Sequence, residues 1–379
     1  MIYFDNAAST PVHPEIIDIY TKLLSQSYAN QGSAHKEGLE VNRLVNKSKQ
    51  NILELLGLDD QGYQVVFTSG ATEANNLFLK GAALNYRNRG NKIIISAGEH
   101  PSVLKPLLRL QKDYDFKLEI LPLNEQGIVE PLDLAKAIDE KTIIVSIMAV
   151  NNQTGAINKL DELAKIVKKF PKCLFHSDVT QAVAKTKIDY ALLDAFSFSA
   201  HKINGLKGSG ALILKKSISL IPLQEGGVYE YGFRDGTPDS PKNIVLAKTI
   251  KLAFDNYKNK LVDIEKMHDK ITAFIISNPQ FVVLNSPKLS VAHIINFSLL
   301  NHRASIIANG LSSKNIMVGT SSACSSKLHE NSHVIMAMFN DEKRASNVIR
   351  ISFGYFNHSE EVDVMLKELE ILLRKTKYE

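Results

Sequence analysis

Between residue 60 and about residue 215 the chain alternates short β-rich runs with longer amphipathic stretches, and nothing else in it narrows the fold as much. The runs lie at 63–67, 92–96, 142–150, 173–177, 194–198 and 210–214, and the stretches at 72–86, 103–113, 131–139 and 160–169 read as helices. Strands separated by helices pair in parallel and are covered on both faces, which predicts an α/β fold around a mainly parallel sheet. Ligands of such sheets bind just outside the carboxyl ends of the strands, so the chemistry is expected there. The pattern changes after Thr237-Pro238-Asp239-Ser240-Pro241. A long helix is predicted from about 244 to 277, stopped by Asn278-Pro279, because the residue before a proline disfavours helix. Strands and helices then alternate to a last helix over 361–375. There Val362, Leu366, Leu369 and Leu373 share one face, with acids at the start and bases at the end. A chain of 379 residues has room for two domains. The expected division is a large unit over 15–249 and a smaller α+β unit made of 1–14 and 250–379.

Composition removes several classes. Lys and Arg number 45 against 40 Asp and Glu, a net charge of +5. So thin an excess does not build the basic face that counterion release needs, which argues against direct nucleic-acid binding. With 44% hydrophobic and 22% charged residues the chain is an ordinary globular mixture. Its most apolar stretch, 143–150, is too short to span a bilayer, so no integral membrane protein is expected. The start, MIYFDNAAST, has neither the basic nor the apolar region of a Sec signal. Two cysteines, Cys173 and Cys324, can form neither a disulfide framework nor a four-cysteine zinc site, which fits a cytoplasmic protein.

Five predicted strand ends carry groups with chemical uses, although each also has an ordinary reading. Phe67-Thr68-Ser69-Gly70-Ala71-Thr72-Glu73 opens a helix whose unpaired N–H groups suit a phosphate, and equally reads as a capped helix start. Glu99-His100 follows the second run; a histidine there is by itself a surface or hydrogen-bonded group. Asn151-Asn152 follows the third and reads as turn chemistry. Asp178, with Gln181 three residues on, reads as a helix N-cap. Ser199-Ala200-His201-Lys202 follows the fifth run. A lysine among small residues after a buried strand is a Schiff-base candidate, because most lysines prefer an exposed helix face. The agreement of all five with the strand-end rule carries more weight than any one of them.

Gly205 to Gly210 is glycine-rich but lacks the dinucleotide fingerprint, and no P-loop occurs. His329-Glu330-Asn331-Ser332-His333 matches a zinc-protease pattern, yet Asn331 and Ser332 are helix caps and a helix is predicted to start at His333, so no metal site is expected. Cys324 is surrounded by Gly319, Thr320, Ser321, Ser322, Ala323, Ser325 and Ser326, which predicts a polar, movable loop and a thiol that can act as a reagent. Cys173 opens an apolar strand and reads as inert core. Arg350 interrupts the apolar strand 347–353; it reads either as an exposed strand face or as a bidentate clamp for a carboxylate.

Taken together these residues resemble the class I cysteine desulfurases of the aminotransferase class V family, fold-type I pyridoxal-phosphate enzymes. The resemblance runs from Tyr3-Phe4-Asp5-Asn6-Ala7-Ala8 through Thr68 to Asn76, Glu99-His100, Asn151-Asn152, Asp178 to Gln181, Ser199 to Lys202 and Arg234-Asp235-Gly236-Thr237. It continues in Ser321 to Ser326 and Ile349 to Ser352, and the Ser-Ala-Cys loop is its most specific part. The chain departs from the family pattern at Gln31-Gly32, Gln153-Thr154, Asn204 and Leu206.

The resemblance implies that Lys202 carries pyridoxal 5'-phosphate and moves protons at the substrate. It implies that Asp178 pairs with the ring nitrogen, Gln181 with the ring oxygen, and that His100 stacks on the ring and assists proton transfer. Ala71, Thr72, Ser199 and His201 would hold the phosphate, with Thr237 reaching it from a second subunit of a homodimer. Asn152 and Arg350 would hold the substrate carboxylate. Cys324 would take sulfur from L-cysteine as a persulfide, releasing alanine, and pass it to an acceptor protein for iron–sulfur cluster assembly or tRNA thiolation. Two other readings compete. A selenocysteine lyase or aminotransferase on the same fold leaves Cys324 unexplained; a catalytically silent assembly partner would be expected to have lost Lys202 or Cys324.

Overall fold

The computed structural model describes residues 1–320 and 331–375. Its elements begin with β1 (Ile2–Phe4), α1 (Pro14–Gln26), α2 (Lys36–Leu55), β2 (Tyr63–Thr68), α3 (Ala71–Asn85), β3 (Lys92–Ser96), α4 (Pro101–Tyr114) and β4 (Lys117–Leu121). They continue with α5 (Pro131–Ala137), β5 (Thr142–Ser146), α6 (Leu160–Val167), β6 (Leu174–Asp178), β7 (Ala195–Ser199), β8 (Gly210–Lys215) and α7 (Ser240–Ser277). The last are β9 (Val282–Leu284), β10 (Ile294–Leu299), α8 (Ala304–Ser312), β11 (Ile316–Val318), α9 (His333–Phe339), α10 (Glu342–Ser346), β12 (Val348–Ser352) and α11 (Ser359–Lys375).

Seven strands form one sheet in the order β2-β8-β7-β6-β5-β3-β4, as the alternation predicts. Only β8 runs against the others, antiparallel to β2 and β7. Every residue of β5 and β7 is buried, as befits strands covered on both faces. One apolar cluster joins Val65, Val145, Phe175 and Phe196 on one side, and another joins Val66, Ile93, Ile144 and Leu212 on the other. Alternation along each strand sends neighbouring side chains into different clusters, at roughly 1.5–3 kcal/mol per buried aliphatic residue.

Strand β10 lies between β9 and β12 in an antiparallel three-stranded sheet with its own core of Ile295, Phe297, Ile349, Ile351 and Leu369. Helix α7 serves both cores. Leu246, Ala247 and Ile250 pack on the large sheet's cluster, while Met267, Ile271 and Ile275 pack on the small sheet's. At 1.5 Å per residue its length is about 57 Å, enough to reach both.

Two expectations need correction. The 142–150 run is strand only to Ser146. Residues 147–150 are apolar because they are buried behind the site, and their backbone follows β6 with single bonds from Ile147 and Ala149 to the His176 and Asp178 carbonyls. Asp178 caps no α-helix: the chain turns after it, and its Oδ1 accepts from the Thr180 amide at 3.0 Å.

Candidate active site

The parallel strands end along one edge, and that edge holds a cavity of about 260 Å³. Ala71, Thr72, His100, Asn152, Asp178, Gln181, Ser199, His201, Lys202 and Arg350 all line it. Of the residues singled out in the sequence, Thr237 is exposed and contributes nothing to this wall. Cys324, with His329 and Glu330, lies outside the described residues.

Lys202 ends a single 3₁₀ turn, Ala200–Lys202, directly after β7. The N-terminal segment crosses this turn: Thr10 donates through both its amide and its hydroxyl to the His201 carbonyl, each at 2.9 Å. Asn204, at φ 60°, returns its amide to Thr10 Oγ1 at 2.8 Å, a left-handed position that asparagine tolerates. On its other side the segment is tied to β12, with the Ala7 amide donating to Ser352 Oγ at 2.8 Å. The carbonyls of Ala7 and Ala8 thereby meet Lys202 Nζ at 2.7 and 2.6 Å. The same Ala7 carbonyl accepts from Gln181 Nε2 at 2.9 Å.

Asp178 is 6% exposed at the end of β6. Asn75 Nδ2 holds its Oδ2 at 2.8 Å, reaching from the first turn of α3. Thr180 Oγ1, which belongs to a residue of the cavity wall, is buried without a hydrogen-bond partner among the described residues.

The start of α3 is open. Its cap residue, Gly70, sits at φ 145° and offers no side-chain bond. Ala71 donates its amide to Ser199 Oγ at 2.7 Å, which brings two sequence-distant phosphate candidates together. The approach requires glycine at 210 as well, since a Cβ there would stand 2.6 Å from the Gly70 backbone.

His100 caps α4, with Pro101 in the first helical position. Its Nδ1 accepts from the Ser102 amide at 3.1 Å, so in the neutral ring the proton sits on Nε2. Burial, opposed by the Asp178 charge, pushes its pKa below the ordinary histidine value. Burial and then the neighbouring Lys202 push that of His201 down to about 4, leaving a neutral donor or acceptor. Beside them Glu99 is 2% exposed, and burial raises its carboxyl to about 8.

Arg350 is 2% exposed, which rules out the exposed-strand reading. Its Nη2 donates to Asp5 Oδ1 at 2.7 Å and its Nη1 to the Asn152 carbonyl at 3.0 Å. Nε has no partner among the described residues. A buried guanidinium that lines a cavity and keeps an unused donor suits a carboxylate ligand.

Gly319 exchanges backbone hydrogen bonds with Arg350 at 2.9 and 2.8 Å. On the far side of 321–330, Ser332 caps α9 and also bonds Gln153 Oε1, while His333 Nε2 donates to the Glu99 carbonyl at 3.1 Å. Both described flanks of the cysteine-bearing segment are thus fixed to residues that touch the site wall or adjoin it. Gln153, one of the departures from the family pattern, serves as an anchor here. No cluster of histidine, cysteine and carboxylate able to hold a metal occurs among the described residues. Cys173 is buried, its thiol pushed far up by burial, in keeping with inert core.

Sequence reasoning assigned no role to Asp5, Asn75, Thr180 or the Ala7 and Ala8 carbonyls. Asp5 to Ala8 and Asn75 lie inside motifs already singled out, and Thr180 lies two residues after Asp178; their partners are distant in sequence.

A family model described as "Aminotransferase class-V" matches residues 2–365. Among curated proteins, the chain is 34% identical over 367 residues to the "NifS/IcsS protein homolog" of Lactobacillus delbrueckii subsp. bulgaricus, covering 96% of this chain and 94% of that one. It is 33% identical over 377 residues to "Cysteine desulfurase IscS" of Dictyoglomus turgidum, covering 99% and 95%. A solved structure described as a "NifS-like protein" superposes with a TM-score of 0.91 at 32% identity, covering 99% of this chain and all of that one.

Proposed function

The chain belongs to the aminotransferase class V family, and on that premise we propose that it is an L-cysteine desulfurase dependent on pyridoxal phosphate. The observation that carries the reading is one cavity gathering an amine, a carboxylate and a neutral imidazole from the large sheet's strand ends and a buried guanidinium from the small sheet, with both described flanks of the Cys324 segment fixed beside it.

The wall fits the cofactor. It offers an open helix start for a phosphate, a buried carboxylate for a ring nitrogen and an unused Thr180 hydroxyl among the polar groups. Ala71, Thr72, Ser199 and His201 would hold the phosphate, with Thr237 serving the second site of a homodimer, and Asp178, Gln181 and His100 would hold the ring. When bound, the cofactor supplies an electron sink that stabilises a carbanion next to the substrate nitrogen.

Lys202 would be the residue that carries the cofactor and would move protons at the substrate carbon, its amine aimed by the Ala7 and Ala8 carbonyls. Asn75 fixes the Asp178 carboxylate against rotation. Neutral His100, protonated on Nε2, donates that proton and later takes it back at the same nitrogen. Asn152 and Arg350 hold the L-cysteine carboxylate, with Asp5 orienting the guanidinium. The thiolate of Cys324 attacks the substrate sulfur: the carbon–sulfur bond breaks, a sulfur–sulfur bond forms, and the substrate carbon takes a proton to become alanine. An acceptor protein in iron–sulfur cluster assembly or tRNA thiolation then receives the sulfur, in the cytoplasm.

In this reading residues 15–249 form the cofactor-carrying unit, and 1–14 with 250–379 form the unit that brings Arg350 and Cys324. No helix among the described residues is long and apolar enough to cross a membrane. The test is incubation of the cofactor-loaded protein with L-cysteine and a thiol reductant. Alanine and sulfide should appear in equal amounts; cysteine consumption without alanine contradicts the proposal.

A further inference from the structure

A second cavity lies between the turn after Lys202, the middle of α7 and the ends of the small sheet. Its lining is of one sign. Lys185, Lys202, Lys260 and His293 contribute to it together with the neutral Tyr257 and Asn256, and no carboxylate lines it among the described residues. Lys260 is already paired, with Asp263 at 3.1 Å. Among the described residues Lys185 has only a neutral acceptor, Gln181 Oε1 at 3.3 Å. Burial and then the charge of Lys202 push its amine down to about 7, as expected for a lysine whose charge is not compensated.

His293 faces the same space. It is 1% exposed, and neither ring nitrogen has a hydrogen-bond partner among the described residues. Its ring stands edge-on to Tyr257, with centroids 6.4 Å apart. A buried imidazole with two unused nitrogens is costly unless something enters to bond it. The cavity measures about 40 Å³, whereas one water needs roughly 10–15 Å³. About three or four waters could satisfy the imidazole, but they would leave the Lys185 charge unbalanced.

We propose that this cavity binds a small monovalent anion, of halide or formate size, between the amine of Lys185 and the imidazole of His293. The space excludes phosphate esters and nucleotides. An anion here favours the charged form of Lys185 and so strengthens its hydrogen bond to Gln181 Oε1. That bond fixes the amide whose Nε2 donates to the Ala7 carbonyl, the acceptor it shares with Lys202. The anion is thereby linked to the main site through one side chain.

Bromide is the probe. The thermal midpoint of the cofactor-loaded protein should rise with bromide to a plateau at constant ionic strength, and should not rise with sulfate, because a ligand of the folded state stabilises by mass action. Lys185→Met and His293→Phe should each weaken the bromide midpoint by roughly tenfold or more, the loss of one charge-assisted contact. Crystals soaked in bromide should show an anomalous peak between the two side chains. A midpoint indifferent to bromide, a response unchanged in both variants, or the absence of that peak overturns the proposal. If either variant fails to fold, the wild-type titration and the peak decide on their own.

Discussion

The two sheets deliver functional groups in different ways. The seven-stranded sheet gives up side chains where β3, β6 and β7 stop, so His100, Asp178 and Lys202 each sit at or just beyond the end of an apolar run and share one edge. The three-stranded sheet delivers Arg350 from the middle of a strand, with apolar neighbours on both sides and Asp5 as its counter-charge. Groups at strand ends owe little to the core and can be changed without unfolding it. Arg350, proposed to hold the substrate carboxylate, is also buried in the core, so function and stability should fall together when it is removed.

The sharpest way to break this contrast is at Lys202. Lys202→Ala should lower alanine formation by roughly 10³-fold or more and abolish the reducible lysine–cofactor adduct, while circular dichroism and the thermal midpoint of the cofactor-free protein stay near wild type. A large loss of fold would remove the distinction between the sheets. Arg350→Ala should instead raise KM for cysteine and destabilise the protein by about 3 kcal/mol in denaturant titrations, because Asp5 and the Asn152 carbonyl lose their partner.

The core under the large sheet also titrates. His176 on β6 is fully buried, bonds Ser146 through Nδ1 and stacks on Phe78 with centroids 4.8 Å apart. Burial, opposed by Asp178, lowers its pKa to about 4 from the ordinary 6.5. The unfolded chain therefore binds more protons between those values, and stability is lost as pH falls through that window, by about 3 kcal/mol. Glu99, raised to about 8, acts in the opposite direction over its own window, so the measurement is the difference between wild type and His176→Gln. The variant should show a shallower loss from pH 6.5 to 4; identical slopes would remove His176 as the cause. The smallest effect belongs to Asn75→Ala, which frees Asp178 to rotate and should weaken cofactor binding by roughly tenfold, about 1.4 kcal/mol, with little change in KM for cysteine.

The same contrast explains what was legible in the sequence. Lys92–Ser96 and the strand ends could be read because apolar runs followed by turn residues are local signals. Strand β4, Lys-Leu-Glu-Ile-Leu, escaped because an edge strand is half exposed and carries charges where central strands do not. Helices α1 and α2 precede the alternating region and offered no pattern as plain. Residues 147–150 looked like strand because burial, not pairing, made them apolar. Arg350 stayed ambiguous because period-2 alternation says that a residue faces one side without saying what covers that side. Asp5 covers it, 345 residues away in sequence.

The central claim is that this chain takes sulfur from cysteine onto Cys324. Mass spectrometry of the protein after incubation with L-cysteine, before any reductant is added, tests it most directly. The peptide carrying Cys324 should gain one sulfur atom as alanine appears. Cys324→Ala should still bind the cofactor and respond spectrally to cysteine, yet form neither persulfide nor alanine, since neither Ser322 nor Ser325 supplies a thiolate. Alanine released at the wild-type rate by Cys324→Ala, or a wild-type Cys324 peptide of unchanged mass, would contradict the account.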